Sequence, residues 1–168
     1  MKRYVMVSCL LVLFILLSGS YSSYAQYTTA LGIRIGGTSG LTIKHAYSPS
    51  MTFEGIIGGF PNGFSVTGLI EKNTIAFNEP GLNWYYGGGA HIAVYNHGAY
   101  DRFGRELDYP SNDDVGFGID GIIGLEYRLP DNVPIAFSFD LKPFIELTTD
   151  GYAGFALDPA IGVKFIIR

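Results

Sequence analysis

The last fourteen residues of the chain alternate strictly between two kinds of side chain. The first set is apolar and the second is small or charged; the apolar positions are Phe155, Leu157, Pro159, Ile161, Val163, Phe165 and Ile167, and those between them are Ala156, Asp158, Ala160, Gly162 and Lys164. Because successive side chains of a strand point to opposite faces, this order predicts a strand with one apolar and one polar face. The pattern excludes a strand that is buried on both faces.

The N terminus has the features of a secretory signal peptide. Two basic residues precede an apolar run over residues 5–17, and Ala25 completes a site of small residues that suits signal peptidase. The run is about thirteen residues long, whereas a spanning helix needs roughly twenty. We therefore predict a signal peptide over residues 1–25, cleaved before Gln26, and a single domain over residues 26–168.

Composition limits the sites and partners of the mature chain. The only cysteine, Cys9, lies in the predicted signal peptide, so we expect neither a disulfide nor a thiolate metal site. Loss of Lys2 and Arg3 lowers the formal charge from -4 to about -6, and the remaining basic residues are scattered singly, so we expect no nucleic acid partner. The 23 glycines, the 15% aromatic content and the lack of a sustained helical period indicate an all-β protein.

Eight segments of the mature chain show strand-like alternation. They cover residues 27–36, 40–47, 51–60, 64–77, 83–95 and 115–129, a seventh segment that begins at Ile135, and residues 155–168. Alternation is lost near Lys72 and Asn73, where we expect a bulge or the membrane boundary. Residues 96–114 form the longest connection and are strongly polar, which predicts a surface loop.

Segments of about ten residues match the roughly nine to eleven that a tilted strand needs to cross the hydrocarbon of a membrane. Together with the signal peptide, they predict an eight-stranded antiparallel up-and-down transmembrane β-barrel in the cell outer membrane. Apolar side chains would face lipid, and charged side chains would face the lumen. A barrel of the lipocalin type, secreted or periplasmic, is the alternative; its apolar faces would turn inward around a lipophilic ligand.

Charged residues recur on the face opposite the apolar one. They are Arg34, Lys44, Glu54, Glu71, Asp120, Glu126, Asp140, Lys142, Glu146, Asp158 and Lys164. A lone buried ion is costly, so we expect these residues to pair, and side chains can fill the interior of an eight-stranded barrel. This predicts a structural charge network that plugs the lumen. A narrow barrel that conducts ions through rearranging pairs is a lesser alternative.

Evidence for catalysis in the sequence is weak. His45, His91 and His97 are the candidate bases, but none lies in a short motif with a serine, and no spacing is typical of metal ligands. We therefore predict no catalytic, cofactor-binding or metal site, no cofactor and no enzymatic activity.

The signal peptide, the eight alternating segments and the glycine-rich stretches at residues 85–89 and 121–127 resemble the small outer-membrane β-barrel proteins of Gram-negative bacteria. That porin-like group includes OmpX and the membrane domain of OmpA, and the resemblance covers the mature chain. It implies insertion into outer-membrane lipid by periplasmic chaperones and the barrel-assembly machinery. Members act as anchors, adhesins or stress-associated surface proteins, and usually lack catalysis.

For this chain we expect a monomer whose loop over residues 96–114 is available to a surface partner. Chains of this family typically end on an aromatic residue that the assembly machinery recognises. Here the chain ends at Arg168, and Phe165, three residues earlier on the outward face, is the candidate assembly signal.

Overall fold

The computed structural model describes residues 28–61, 63–95, 114–130, 133–149, 151 and 153–167. These residues form eight strands: β1 (Thr29–Gly36), β2 (Ser39–Ser48), β3 (Met51–Phe60), β4 (Gly63–Ile75), β5 (Leu82–Tyr95), β6 (Asp114–Arg128), β7 (Ile135–Thr148) and β8 (Ala153–Ile167). The predicted signal peptide and residues 96–113 of the predicted loop lie outside the described residues. Asp114, which we predicted to lie in that loop, is instead the first residue of β6, opposite Tyr95.

Each strand pairs antiparallel with the next strand in the sequence, and β8 pairs with β1 to close a barrel. The prediction of eight strands in a closed antiparallel barrel is confirmed, and most strand ends agree with the predicted ones to within about two residues. Among the described residues, no helix is long and apolar enough to span a bilayer.

The register of the strands sets their tilt. From Ala30, successive partners are Lys44, Glu54, Leu69, Gly89, Asp120, Phe144 and Ala156. If the β8–β1 register is extended, the partner of Ala156 on β1 has the number 40. One circuit around the barrel therefore ends ten residues further along β1 than it began. A shear of ten residues, with a rise of about 3.3 Å per residue and strands about 4.8 Å apart, tilts the strands by about 40°.

Two local details differ from the predicted pattern. β4 stays in register with β5 through Lys72 and Asn73 and with β3 up to Lys72, so of the two alternatives expected there, a bulge or the membrane boundary, the bulge is absent. The irregularity lies instead between Ala46 and Ser48 of β2. Phe77, which we predicted to end the fourth strand, lies in the following turn with a positive φ of 54°.

The strands differ in length, and the difference lies at one end of the barrel. We call the end with the turn between Ser48 and Met51 the lower end, and the end with Gly37 the upper end. With the observed shear, the lower ends of all strands are level to within about two residues. At the upper end, β7 and β8 extend about five residues, or roughly 13 Å along the barrel axis, above Gly36. The wall is therefore lowest at the β1–β2 turn.

The two faces of the barrel wall differ in polarity. Large apolar side chains cover the outside, where Leu41, Ile119 and Phe155 are 66, 65 and 62% exposed. Buried charged and polar side chains fill most of the inside. Three small apolar clusters complete the interior; they contain Ile56, Leu69, Tyr85 and Ile122, then Ala30, Ala136 and Ile166, and then Phe60, Ala93 and Tyr95.

Candidate functional site

The barrel interior contains all eleven charged residues that the alternation placed on the inward face. Every one of them is buried, with at most 6% of its surface exposed. They come from every strand except β5. Along each strand the inward side chains recur at every second position. They form three groups stacked along the barrel axis.

The lowest group, which we call the lysine cluster, contains Lys44, Lys164, Glu54, Glu71 and Glu126. Lys44 Nζ lies 2.8 Å from a Glu71 oxygen and 3.5 Å from Glu126. Lys164 Nζ lies 3.1 Å from the same Glu126 oxygen and 3.3 Å from Glu54. Each lysine thus bridges two carboxylates, and Glu126 joins the two lysines.

Neutral side chains complete the hydrogen bonds of the lysine cluster. The Thr42 hydroxyl donates to Glu54, and the Thr52 hydroxyl donates to Glu71 at 3.2 Å. Asn73 in turn donates its amide to Thr52 at 3.0 Å. Among the described residues, Arg34 Nε and Glu71 Oε1 are the buried side-chain atoms without a hydrogen-bond partner. Near-complete satisfaction is what a buried polar network requires to stabilise a fold.

Arg34 organises the middle of the interior. Its guanidinium pairs with Asp140 at 2.7 Å and with Asp158 at 3.1 Å, and it donates to Thr38 O at 2.9 Å. Tyr85 links this group to the lysine cluster: its hydroxyl donates to Asp140 at 3.0 Å, and Lys44 Nζ lies 4.0 Å from its ring centroid. A cation over an aromatic face is attracted to it, so the ring adds to the pairing of Lys44.

The uppermost group, which we call the histidine cluster, contains His91, Asp120, Glu146 and Lys142. His91 Nδ1 lies 2.8 Å from Asp120, and Nε2 lies 2.7 Å from Glu146, so each ring nitrogen is within hydrogen-bond distance of a carboxyl group. Lys142 Nζ lies 3.0 Å from Asp120 and 3.3 Å from Asp158, which connects the cluster to Arg34. The Tyr95 hydroxyl donates to Glu146.

Glycines of β6 make room for the largest inward side chains. Gly118 is the register partner of His91, and a Cβ at this position would overlap the imidazole ring, with Nε2 at 2.6 Å. Gly124 is the partner of Tyr85, and a Cβ there would lie 2.6 Å from the phenol oxygen. These glycines are required by close approach of a side chain rather than by an unusual backbone conformation.

The interior contains all seven of the predicted carboxyl groups and all four of the predicted lysine and arginine side chains, and His91 lies between two of the carboxyl groups. The charges are connected from the lysine cluster to the histidine cluster through Tyr85, Arg34 and Lys142. This arrangement fills the interior with interlocked side chains. It can hold the strands in one register, since several of the pairs, such as Arg34 with Asp140 and Lys44 with Glu126, join strands that are distant in the sequence.

The three histidines have different surroundings. His91 has both ring nitrogens engaged by carboxylates, whereas His45 is exposed and lies 2.9 Å from the Thr29 hydroxyl. His97 lies outside the described residues. Within the described strands and turns, no group of three or more His, Cys, Asp or Glu residues is arranged to hold a metal ion.

Sequence reasoning missed the roles of His91, Tyr85 and Tyr95. His91 lies on the same inward face of β5 as Gly87 and Gly89. Because it is not part of a sequence motif, its hydrogen-bond partners could not be predicted. A signal was present in β6, where small residues alternate with apolar ones. Inward glycines opposite inward aromatic positions would have indicated that β5 supplies the bulk that fills the barrel.

Searches for similar proteins found no match to this chain among protein-family models, curated proteins or solved structures.

Proposed function

We propose that the protein is an integral outer-membrane β-barrel of the kind that its sequence resembles, with a side-chain-filled lumen and a structural or surface-interaction role. The observation that carries the proposal is the polarity of the wall. Large apolar side chains cover the outside, and Asp, Glu, Lys and Arg side chains occupy the inside. A barrel surrounded by water would gain free energy from the opposite arrangement, because apolar burial is the main favourable contribution to folding.

The size of the apolar band supports the same proposal. On β7, outward apolar residues extend from Ile135 to Leu147, which at a tilt of about 40° spans roughly 30 Å. A membrane barrel is expected to carry an apolar band about 25 Å tall with aromatic residues at both edges. Trp84, Tyr127 and Phe165 lie near the lower edge of this band, and Phe64, Phe117 and Phe155 lie near the upper edge.

The lipocalin-type alternative would need an interior suited to a lipophilic ligand. Here the centre of the barrel holds ion pairs, such as those of Arg34 with Asp140 and of Lys44 with Glu71. Inserting an apolar ligand there would separate these charges without replacing their partners, which is costly. The exposed apolar outside would also favour aggregation in water.

The filled lumen favours a structural role over conduction. Three stacked groups of paired side chains occupy the cross-section, and opening a path would require several buried pairs to separate together. We expect no large stable conductance in planar bilayers. A steady open current from the folded protein would instead support the ion-conducting alternative.

The single tryptophan provides a direct test of membrane embedding. Trp84 lies on the outside of β5, near the lower end, and is 37% exposed. We expect its fluorescence in the folded protein to be quenched by phosphatidylcholine brominated along the acyl chain and to be protected from aqueous iodide. The variant Trp84→Phe controls for tyrosine emission.

Iodide quenching without bromolipid quenching, together with a gel mobility that boiling leaves unchanged, would contradict membrane embedding. Heat-modifiable mobility and recovery in the outer-membrane fraction are expected instead.

The loop over residues 96–114 is then the segment proposed to meet a surface partner, and Phe165 is the residue proposed to be recognised during assembly. Capture assays with a loop-deleted barrel and assembly assays with Phe165→Ala test these two roles separately.

A further inference from the structure

The barrel wall has a gap at its upper end beside the β1–β2 turn. The ladder between β8 and β1 ends at the pair of Gly36 and Ala160, followed by one bond of 3.2 Å from Gly37 N to Pro159 O. Above this point, residues 153–158 of β8 remain paired with β7. On their other side they have no strand neighbour among the described residues, so β8 has a free edge there.

The backbone of this edge presents polar groups. Because Pro159 O points toward β1 and antiparallel residues alternate in direction, the N–H and C=O groups of Leu157 and Phe155 also point away from β7. Arg34 and the Thr38 N–H bind Asp158 at the base of the gap, the latter at 2.9 Å. Above Asp158, the edge offers N–H donors that a hydrogen-bond acceptor from outside the barrel can reach.

A cavity of about 240 Å³ adjoins the free edge. Phe60, Pro61, Phe144 and Leu157 contribute to its apolar lining, and Thr38 and Asp158 contribute to its polar lining. Its lining includes two consecutive residues of the free edge, Leu157 and Asp158, so the cavity lies directly beside that edge. An apolar cavity of roughly 150 Å³ holds a benzene molecule, so this one accommodates part of one hydrocarbon chain.

The gap lies at a height where the outside of the barrel is apolar. Leu157 and Phe155 are 55 and 62% exposed, and Ile35 on the other side of the gap is 57% exposed. In a bilayer the cavity mouth would therefore lie among acyl chains, close to the level of ester groups. Water would leave this apolar surface exposed, whereas lipid would cover it.

We propose that this gap is a lipid-binding site: one acyl chain of a phospholipid enters the cavity between Phe60 and Phe144, and its ester carbonyls accept hydrogen bonds from the free edge of β8. Both features of the gap are then satisfied by one amphiphilic molecule. The proposal rests on the membrane function proposed above, because the lipid reaches the site from the bilayer.

Photocrosslinking tests the site in the full folded chain. The probe is a phosphatidylcholine with a diazirine on its acyl chain, mixed into phosphatidylcholine vesicles that contain the protein, with labelled residues mapped by mass spectrometry. We expect labelling of the outward residues Ile145 and Ile161, and also of the inward residues Phe60 and Phe144. Tyr85, which is inward and fully buried lower in the barrel, should remain unlabelled.

The labelling pattern separates failure of this proposal from failure of the proposed function. Labelling of Ile145 and Ile161 without Phe60 or Phe144 would overturn the lipid site and leave the membrane barrel intact. Absence of labelling at all four positions would overturn both.

A cavity-filling variant sharpens the test. Ala156 lines the cavity, so Ala156→Phe should lower labelling of Phe60 and Phe144 severalfold while labelling of Ile145 is unchanged. Ala90→Phe makes the same change on the exposed outside of β5 and should alter neither. Unchanged labelling of Phe60 in Ala156→Phe would overturn the proposal. If that variant does not fold, the labelling pattern of the unmodified protein tests the lipid site on its own.

Discussion

The lysine cluster at the lower end of the barrel and the histidine cluster at the upper end neutralise buried carboxylates in different ways. In the lysine cluster, two long side chains each reach two carboxylates and share Glu126. In the histidine cluster, one rigid ring stands between Asp120 and Glu146, in a space left by Gly118. The first arrangement depends on the number of charges, and the second depends mainly on shape.

This difference has consequences for substitution. A lysine replaced by an apolar residue leaves two carboxylates short of a cation, whereas a change near His91 leaves Lys142 and Tyr95 in place as partners of Asp120 and Glu146. Removal of one partner from a buried ion pair costs more than loss of a hydrogen bond. We therefore expect the lysine cluster to be the more sensitive to loss of charge.

The largest effect is expected for Lys44→Met. Glu71 and Glu126 would each lose a cation at 2.8 and 3.5 Å, and the free energy of unfolding should fall by about 3–5 kcal/mol. Urea unfolding of the barrel in phospholipid vesicles, followed by gel mobility, measures this loss. Lys72→Met, on the outward face of β4, is the matched control and should change stability by less than about 0.5 kcal/mol. Equal losses for the two variants would show that the lysine cluster contributes no more than an outward lysine.

His91→Leu should have the next largest effect. Two hydrogen bonds to carboxylates, of 2.8 and 2.7 Å, would be lost, at a total cost of about 3 kcal/mol. The same unfolding measurement applies, with the exposed His45→Leu as the control, for which little change is expected. A smaller loss for His91→Leu than for His45→Leu would contradict the assignment of His91 to the network.

The strands and their inward faces could be predicted from the sequence because both depend on local alternation. Residues such as Arg34 and Asp140 could be assigned to the interior in this way, since parity alone decides the face. Their pairing could not be predicted, because it depends on the shear, which sets the height of each inward residue along the barrel axis. Arg34 and Asp140 are 106 positions apart in the chain, and Lys44 and Glu126 are 82 apart.

The uneven height of the wall was also beyond sequence reasoning. The short β1 and the longer β8 each show clear alternation, but their relative heights follow from the register around the whole barrel. Pro143 and Pro159 carried part of the information, since a strand residue without an N–H weakens one ladder. In the structure, Pro143 lies where the β6–β7 pairing is interrupted, and Pro159 lies where the β8–β1 pairing ends.

Gly118→Ala tests the role of shape in the histidine cluster while keeping every charge. The new Cβ would overlap the His91 ring, so the ring or the strand must shift, at an expected cost of about 2 kcal/mol. Gly121→Ala on the same strand is the control, because its nearest neighbour, Pro143 Cγ, would lie at an ordinary 3.4 Å. Equal stability of the two variants in the urea assay would show that His91 has room to move.

Tyr85→Phe should have the smallest effect and defines how far the two clusters depend on each other. It removes the hydroxyl bound to Asp140 and keeps the ring beside Lys44, so a loss of about 1 kcal/mol is expected, against none for the outward neighbour Tyr86→Phe. Tyr85 and His91 share no direct partner, so combining Tyr85→Phe with His91→Leu should give additive losses to within about 0.5 kcal/mol. A larger coupling would mean that Arg34 and Lys142 transmit strain along the axis and that the two clusters act as one network.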